Sequence, residues 1–209
     1  MHFDMVSATG LRERRIAETS ARLTSVARAW TVERGFGGFT IDELCEAVGV
    51  SRRTFFNYFA GKEDAVIGVP VRVDHAEAEA RFLAGSTGTA AGALSPTLLV
   101  DLAELMVVRW EALGVGAGDV EALVAAMEHA PRLLGRTLEI TREQEQADIA
   151  LVERREGLPP GDLRAATAVH LLGSILRGAV EETFRDAADE TLRTVFARRI
   201  AVARGLFAS

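Results

Sequence analysis

Residues 40–59 read TIDELCEAVGVSRRTFFNYF, and the spacing of their capping residues decides the fold. Thr40 with Glu43 three positions later forms a capping box, in which each side chain serves the other's backbone N–H at a helix start. Ile41, Leu44, Cys45 and Val48 recur at i, i+3, i+4 and i+7, the stripe of a helix with one buried face. Gly49 supplies the residue that accepts a left-handed conformation just past a helix end. Ser51 then opens another helix as its N-cap, with Val50 and Phe55 placed as a hydrophobic staple across it. Two short helices joined by a tight glycine turn are a helix-turn-helix.

The flanking chain carries helical periodicity nearly throughout and no alternating strand pattern, so the fold is expected to be all-α with about nine helices. A first helix is expected from about Leu11 to Arg34, with Ile16, Leu23, Ala27 and Trp30 facing inward, ending at the GFGGF of residues 35–39. A longer helix is expected from Lys62 to about Ala84, kinked near Gly68-Val69-Pro70 because proline removes a backbone donor. Residues 85–96 read as a loop or a weak helix end, and helices follow at roughly 97–113, 119–129, 131–156, 162–186 and 189–207. Residues 1–9 read as a mobile arm. The GVGAG of residues 114–118 follows no strand and is a helix connection rather than a nucleotide cradle.

A chain of 209 residues with 48% hydrophobic content can bury a substantial core, as one domain or two small ones. It has no apolar run of membrane-spanning length and no signal-peptide pattern, so a cytoplasmic protein without a membrane partner is expected. Cys45 is the one cysteine, which excludes an intrachain disulfide; on the inward stripe it reads as a small buried hydrophobe ahead of a redox sensor. No Cys/His spacing suits a metal, and no cofactor motif appears. The net charge of −6 argues against a nucleic-acid partner until it is divided along the chain. Residues 1–62 hold nine Lys/Arg and seven Asp/Glu, a balance of +2, whereas residues 63–209 hold fifteen and twenty-three, a balance of −8. All basic residues but Lys62 are arginine.

On a helix capped by Ser51, the inward turn of Phe55 and Phe59 leaves Arg52, Arg53, Phe56 and Asn57 on the outer side. That face carries the chemistry of base reading: arginine forks match guanine O6 and N7, asparagine matches adenine, and Thr54 or Phe56 can touch a thymine methyl. The alternative is a solvated face in which the two arginines have no partner.

The stretch GFGGFTIDELCEAVGVSRRTFFNYFAGKEDAV, within residues 11–66, resembles the DNA-binding segment of the TetR-family transcriptional regulators. The resemblance implies a helix-turn-helix DNA-binding domain over residues 10–62, followed by a larger helical ligand-binding and dimerisation domain over 63–209. It implies that the helix from about Ser51 to Tyr58 enters the major groove, with Arg52, Arg53 and Asn57 as base or backbone readers. Thr40, Thr54, Tyr58 and Lys62 would be phosphate contacts. Phe56 departs from the tyrosine of many members, and without a phenol its role stays open between apolar base contact and packing.

In the C-terminal part the family implies a homodimer interface and a pocket for a small effector. Leu172, Ile175, Leu176 and Ala179 in one helix, and Phe196, Val202 and Leu206 in the last, form apolar arcs suited to an isologous four-helix interface or to packing within one chain. Met106, Trp110, Met127, His129 and His170 are the candidate pocket residues, each also readable as ordinary core. PRLLGRTLEITREQEQADIALVERREGLPP (131–160) is similar to a TetR subgroup with acyl-CoA-like ligand preference, which would give Arg132, Arg136 and Arg142 phosphate roles.

Two readings follow. The first is a homodimeric repressor on a palindromic duplex DNA operator, released by a small apolar effector, or the same regulator acting as an activator. The second is a helical enzyme or lipid-binding module with a vestigial helix-turn-helix. No GxSxG, metal motif or Cys/His pair favours an enzyme.

Overall fold

The structure is a computed structural model that describes residues 3–71, 75–85, 93–185 and 190–207. Among the described residues there are ten helices and no strand. They are α1 (Phe3–Arg34), α2 (Ile41–Val48), α3 (Arg52–Tyr58), α4 (Lys62–Ile67), α5 (Ala76–Ala84), α6 (Leu98–Ala112), α7 (Ala117–His129), α8 (Arg132–Glu156), α9 (Leu163–Arg185) and α10 (Leu192–Phe207). The all-α expectation holds, and two boundaries need correction.

The first helix begins at Phe3 rather than near Leu11, so residues 3–9, expected as a mobile arm, are helical; Met1 and His2 lie outside the described residues. No proline interrupts that stretch, and once a helix is nucleated each added residue contributes a hydrogen bond. Ile16, expected to face inward, is exposed.

The second correction is at Gly68-Val69-Pro70, where the expected kink is a full stop that raises the helix count from nine to ten. Gly68 takes φ 85°, and the N–H groups of Gly68 and Val69 both donate to the Asp64 carbonyl, at 2.8 and 3.0 Å. This double closure is a left-handed helix terminus, and Pro70 cannot extend it. A Cβ at Gly68 would also lie 2.8 Å from the Arg28 guanidinium, so both backbone and space require glycine. The expected loop at 85–96 falls partly on residues 86–92, outside the described residues.

Contacts divide the chain into two compact units, residues 1–73 with 117–139 and residues 74–116 with 140–209. The division differs from a cut after residue 62, because α4, α7 and the start of α8 cohere with α1–α3. In the first unit α1 packs against α2, α4 and α7. Its centre is Leu23, Ala27, Leu44, Phe55, Phe59 and Val66, all fully buried. Burying a leucine or phenylalanine side chain is worth ~1.5–3 kcal/mol, enough for this small set to order the helix-turn-helix.

In the second unit α6 packs against α5 and α9, and α9 against α10. Phe82, Leu98, Leu102, Val152, Val169, Leu172 and Phe196 form its core. Two arginines enter that core with partners. Arg155 lies over the Phe82 ring and donates to the Gly85 carbonyl at 3.0 Å and to Thr97 at 3.1 Å, beside Asp101 and Glu156. Arg109 pairs with Asp148 and, at 2.7 Å, with Glu79. Burial pushes the Asp148 carboxyl up, and the adjacent Arg109 opposes that shift.

Candidate nucleic-acid interface

The helix-turn-helix is built by local bonds. The Glu43 N–H donates to Thr40 Oγ1 at 3.2 Å and the Thr40 N–H donates to Glu43 Oε2 at 2.7 Å, the reciprocal capping box. Those bonds hold the Glu43 carboxyl below the usual range. At the other end Gly49 takes φ 77°, and the Val50 N–H donates to the Cys45 carbonyl at 2.9 Å. Ser51 Oγ accepts from the Thr54 N–H at 3.0 Å and starts α3.

The turn sets the face of α3. Phe55 and Phe59 are fully buried, their rings 5.8 Å apart, so Arg52, Arg53, Phe56 and Asn57 are exposed and Thr54 and Tyr58 half-buried. Arg53 has no ion-pair partner among the described residues, and with Asn57 it forms an outward i, i+4 row. Phe56 stands edge-on to Phe55, centroids 5.3 Å apart, and remains 43% exposed. It is therefore neither packed away nor free of the core. Ser51 and Thr54 share a hydroxyl contact of 2.8 Å. The Thr40 hydroxyl both accepts from the Glu43 N–H and donates to its carboxylate, so it is engaged within the cap.

Lys62 has a different place from the one expected. Instead of standing out beside the start of α4, its ammonium donates to the carbonyls of Phe36 and Phe39, both at 2.5 Å, and lies 4.4 and 4.2 Å from their ring centres. Desolvation in that cage lowers its pKa. The lysine thus fastens the GFGGF turn that carries the chain into α2.

Sequence reasoning missed two arginines of α1 and one aspartate of α2. Arg22 donates to the Val48 carbonyl at 3.1 Å and completes the C-terminal end of α2. Arg28, 4% exposed, donates to the carbonyls of Val66 and Ile67 at 2.9 and 2.8 Å and to the Asp119 carboxylate at 3.1 Å. It joins α1 to the last turn of α4 and the first turn of α7, and desolvation lowers its pKa while Asp119 raises it. A charged residue on the apolar stripe between Leu23, Ala27 and Thr31 was the available signal. Asp42 accepts from Arg52 across the turn.

The candidate effector and interface residues fall in both units. In the first unit Met127 is half-buried, and His129 is exposed with its ring bonded to the Ala125 carbonyl. Arg132 pairs with Glu63 and stacks on Phe36, and Arg136 pairs with Asp64 at 2.8 Å, so both guanidiniums hold α4. In the second unit Met106 is buried, Trp110 packs at the edge of the core, and His170 and Arg142 are exposed. Leu172, Ala179 and Phe196, placed by sequence on an interface arc or within one chain, are buried within the chain's own core, where α9 packs on α10 and on α6. Ile175 and Leu176 are partly covered, whereas Val202 and Leu206 are 60% and 72% exposed. Among the described residues no His, Cys, Asp and Glu group suits a metal, and no helix is long and apolar enough to cross a membrane.

Comparison with known proteins agrees with this geometry. Residues 23–67 match the family described as bacterial regulatory proteins, tetR family, a span that runs from the inner face of α1 to the end of α4. The chain is 29% identical over 158 residues to the HTH-type transcriptional regulator TcmR of Streptomyces glaucescens, covering 73% of this chain and 67% of that one. A capped two-helix turn with a cationic outer face thus lies in the segment that matches the tetR family, and both similarities support a TetR-family transcriptional regulator.

Proposed function

We propose that the protein is a cytoplasmic, homodimeric repressor that holds a palindromic operator through two copies of α3 and releases it when a small apolar effector binds the C-terminal part. The observation that carries the proposal is the Arg53–Asn57 row, turned outward on a helix whose opposite side, Phe55 and Phe59, is fully buried. Arg52, Arg53 and Asn57 supply base contacts in this reading, with Thr40, Ser51, Thr54 and Tyr58 near the phosphates. Two copies of α3 on one face of B-DNA need a separation of about 34–36 Å or a multiple of it.

Dimerisation is supported by the exposed apolar residues Val202 and Leu206 on α10. An effector that favours another spacing of the reading helices shifts the population away from DNA. Acyl thioesters are the first compounds to titrate, on the similarity of residues 131–160.

Sedimentation at micromolar protein with and without a selected operator duplex tests this. A dimer that Val202→Arg and Leu206→Arg convert to monomers with weakened operator binding supports it. A monomer that binds the operator with full affinity overturns it.

A further inference from the structure

Arg52, on the reading face, is restrained by a residue of another helix. Its Nη1 donates to both carboxylate oxygens of Asp42 on α2, at 2.7 and 2.8 Å. Its guanidinium carbon stands 5.4 Å from the centre of the Phe56 ring one turn along α3. Phe56 is in turn fixed edge-on against the fully buried Phe55, with an interplanar angle of 89°. One corner of the guanidinium is thus tied to a carboxylate and one face to a ring placed by the core. Nη1 alone carries the hydrogen bonds to Asp42, and the Arg52 side chain is 58% exposed.

The Arg52 and Asp42 side chains are 58% and 68% exposed, and an ion pair in such a setting contributes little to stability. Its consequence lies in direction and charge. A free arginine on a DNA-facing surface neutralises any phosphate it meets and adds to non-specific affinity. An arginine already paired to a carboxylate adds little there, because a second anion beside Asp42 is repelled. A guanine edge is neutral and can accept from the Nε–Nη2 edge while Nη1 keeps its carboxylate.

We propose that Asp42 and Phe56 are specificity-determining positioning residues, which hold Arg52 so that it meets base edges with one pre-oriented edge and is withheld from phosphates. This gives Phe56 the role of a stacking platform, and it rests on the reading that α3 contacts bases.

The test is the affinity of the full-length protein for a selected operator and for a scrambled duplex over a salt series. Asp42→Ala is expected to tighten scrambled DNA, to steepen its log–log salt slope by about one, and to lower the operator-to-scrambled ratio about tenfold. Phe56→Ala lowers the ratio and Phe56→Tyr, which keeps the ring, restores it. In an Arg52→Ala background the effect of Asp42→Ala on the ratio disappears. Asp42→Asn, read the same way, replaces the alanine variant if that protein does not fold. Equal changes on both duplexes, or an undiminished Asp42 effect without Arg52, overturn the inference while leaving DNA reading intact. A wild-type protein with no preference for any duplex overturns the reading itself, and this inference with it.

Discussion

Arg28 donates through Nε to the carbonyl of Val66 at 2.9 Å, bringing a buried guanidinium from the middle of α1 to the end of α4. The same group reaches the Ile67 carbonyl at 2.8 Å and the Asp119 carboxylate at 3.1 Å. Carbonyls at a helix end have no partner within the helix, so the arginine replaces the water they would otherwise need. Arg28→Met is expected to destabilise the protein by about 2–4 kcal/mol, since hydrogen bonds to a charged donor are lost and two shielded acceptors are left bare. Asp119→Asn should cost less than about 1 kcal/mol, because that carboxylate lies partly in solvent. Denaturant midpoints measure both, and equal effects would show that Arg28 acts through Asp119 alone.

Gly68 and Gly49 both end helices at positive φ, 85° and 77°, yet their surroundings differ. Around Gly49 there is open space, whereas a methyl at Gly68 meets the Arg28 guanidinium. Gly49→Ala should therefore carry only the left-handed backbone penalty of about 1 kcal/mol, and Gly68→Ala clearly more. Thermal melting of the two variants ranks them, and a reversed order contradicts the packing at Gly68.

The capping box predicts a pH dependence. The hydrogen bonds from Thr40 depress the Glu43 pKa in the folded protein, so the stabilisation is present above the unfolded value and is lost as pH falls through the folded one. The melting temperature should fall between about pH 4.5 and the lower folded value, and Glu43→Gln should remove that part of the slope. Thr40→Ala should cost about 1 kcal/mol near neutral pH. An unchanged acid slope in Glu43→Gln would assign the dependence to other carboxylates.

Cys45 is 4% exposed, and burial pushes its thiol pKa up, an effect that the nearby Asp42 reinforces. Maleimide labelling of the native protein should follow the unfolding of the helix-turn-helix, with a rate that rises in step with denaturant. Rapid labelling under native conditions contradicts the burial of the α2 stripe.

What was legible in the sequence was what is local. Thr40 with Glu43, Gly49 and Ser51 act on partners within five residues, so spacing alone located α2, the turn and α3. The roles of Lys62 and Arg28 depend on partners 23 to 91 residues away, and no periodicity reports such a contact. The stop at Gly68 was half visible: proline marked an interruption, but whether the helix resumed depended on the double closure onto Asp64. In the C-terminal part the apolar arcs of α9 and α10 are legible from periodicity. Their partner is not, because an arc that packs within the chain and one that packs on a second chain read alike.

The central claim, that α3 reads DNA, is tested most directly by dissociation constants for a duplex selected from a random library and for its scrambled counterpart, measured from about 50 to 200 mM salt. A reading helix gives a steep negative log–log slope for both duplexes and tighter operator binding by about a thousandfold or more. Arg53→Ala and Asn57→Ala should each remove about 1–3 kcal/mol of that preference. Equal affinity for the two duplexes at every salt concentration, or arginine and asparagine variants that keep the full preference, would contradict it.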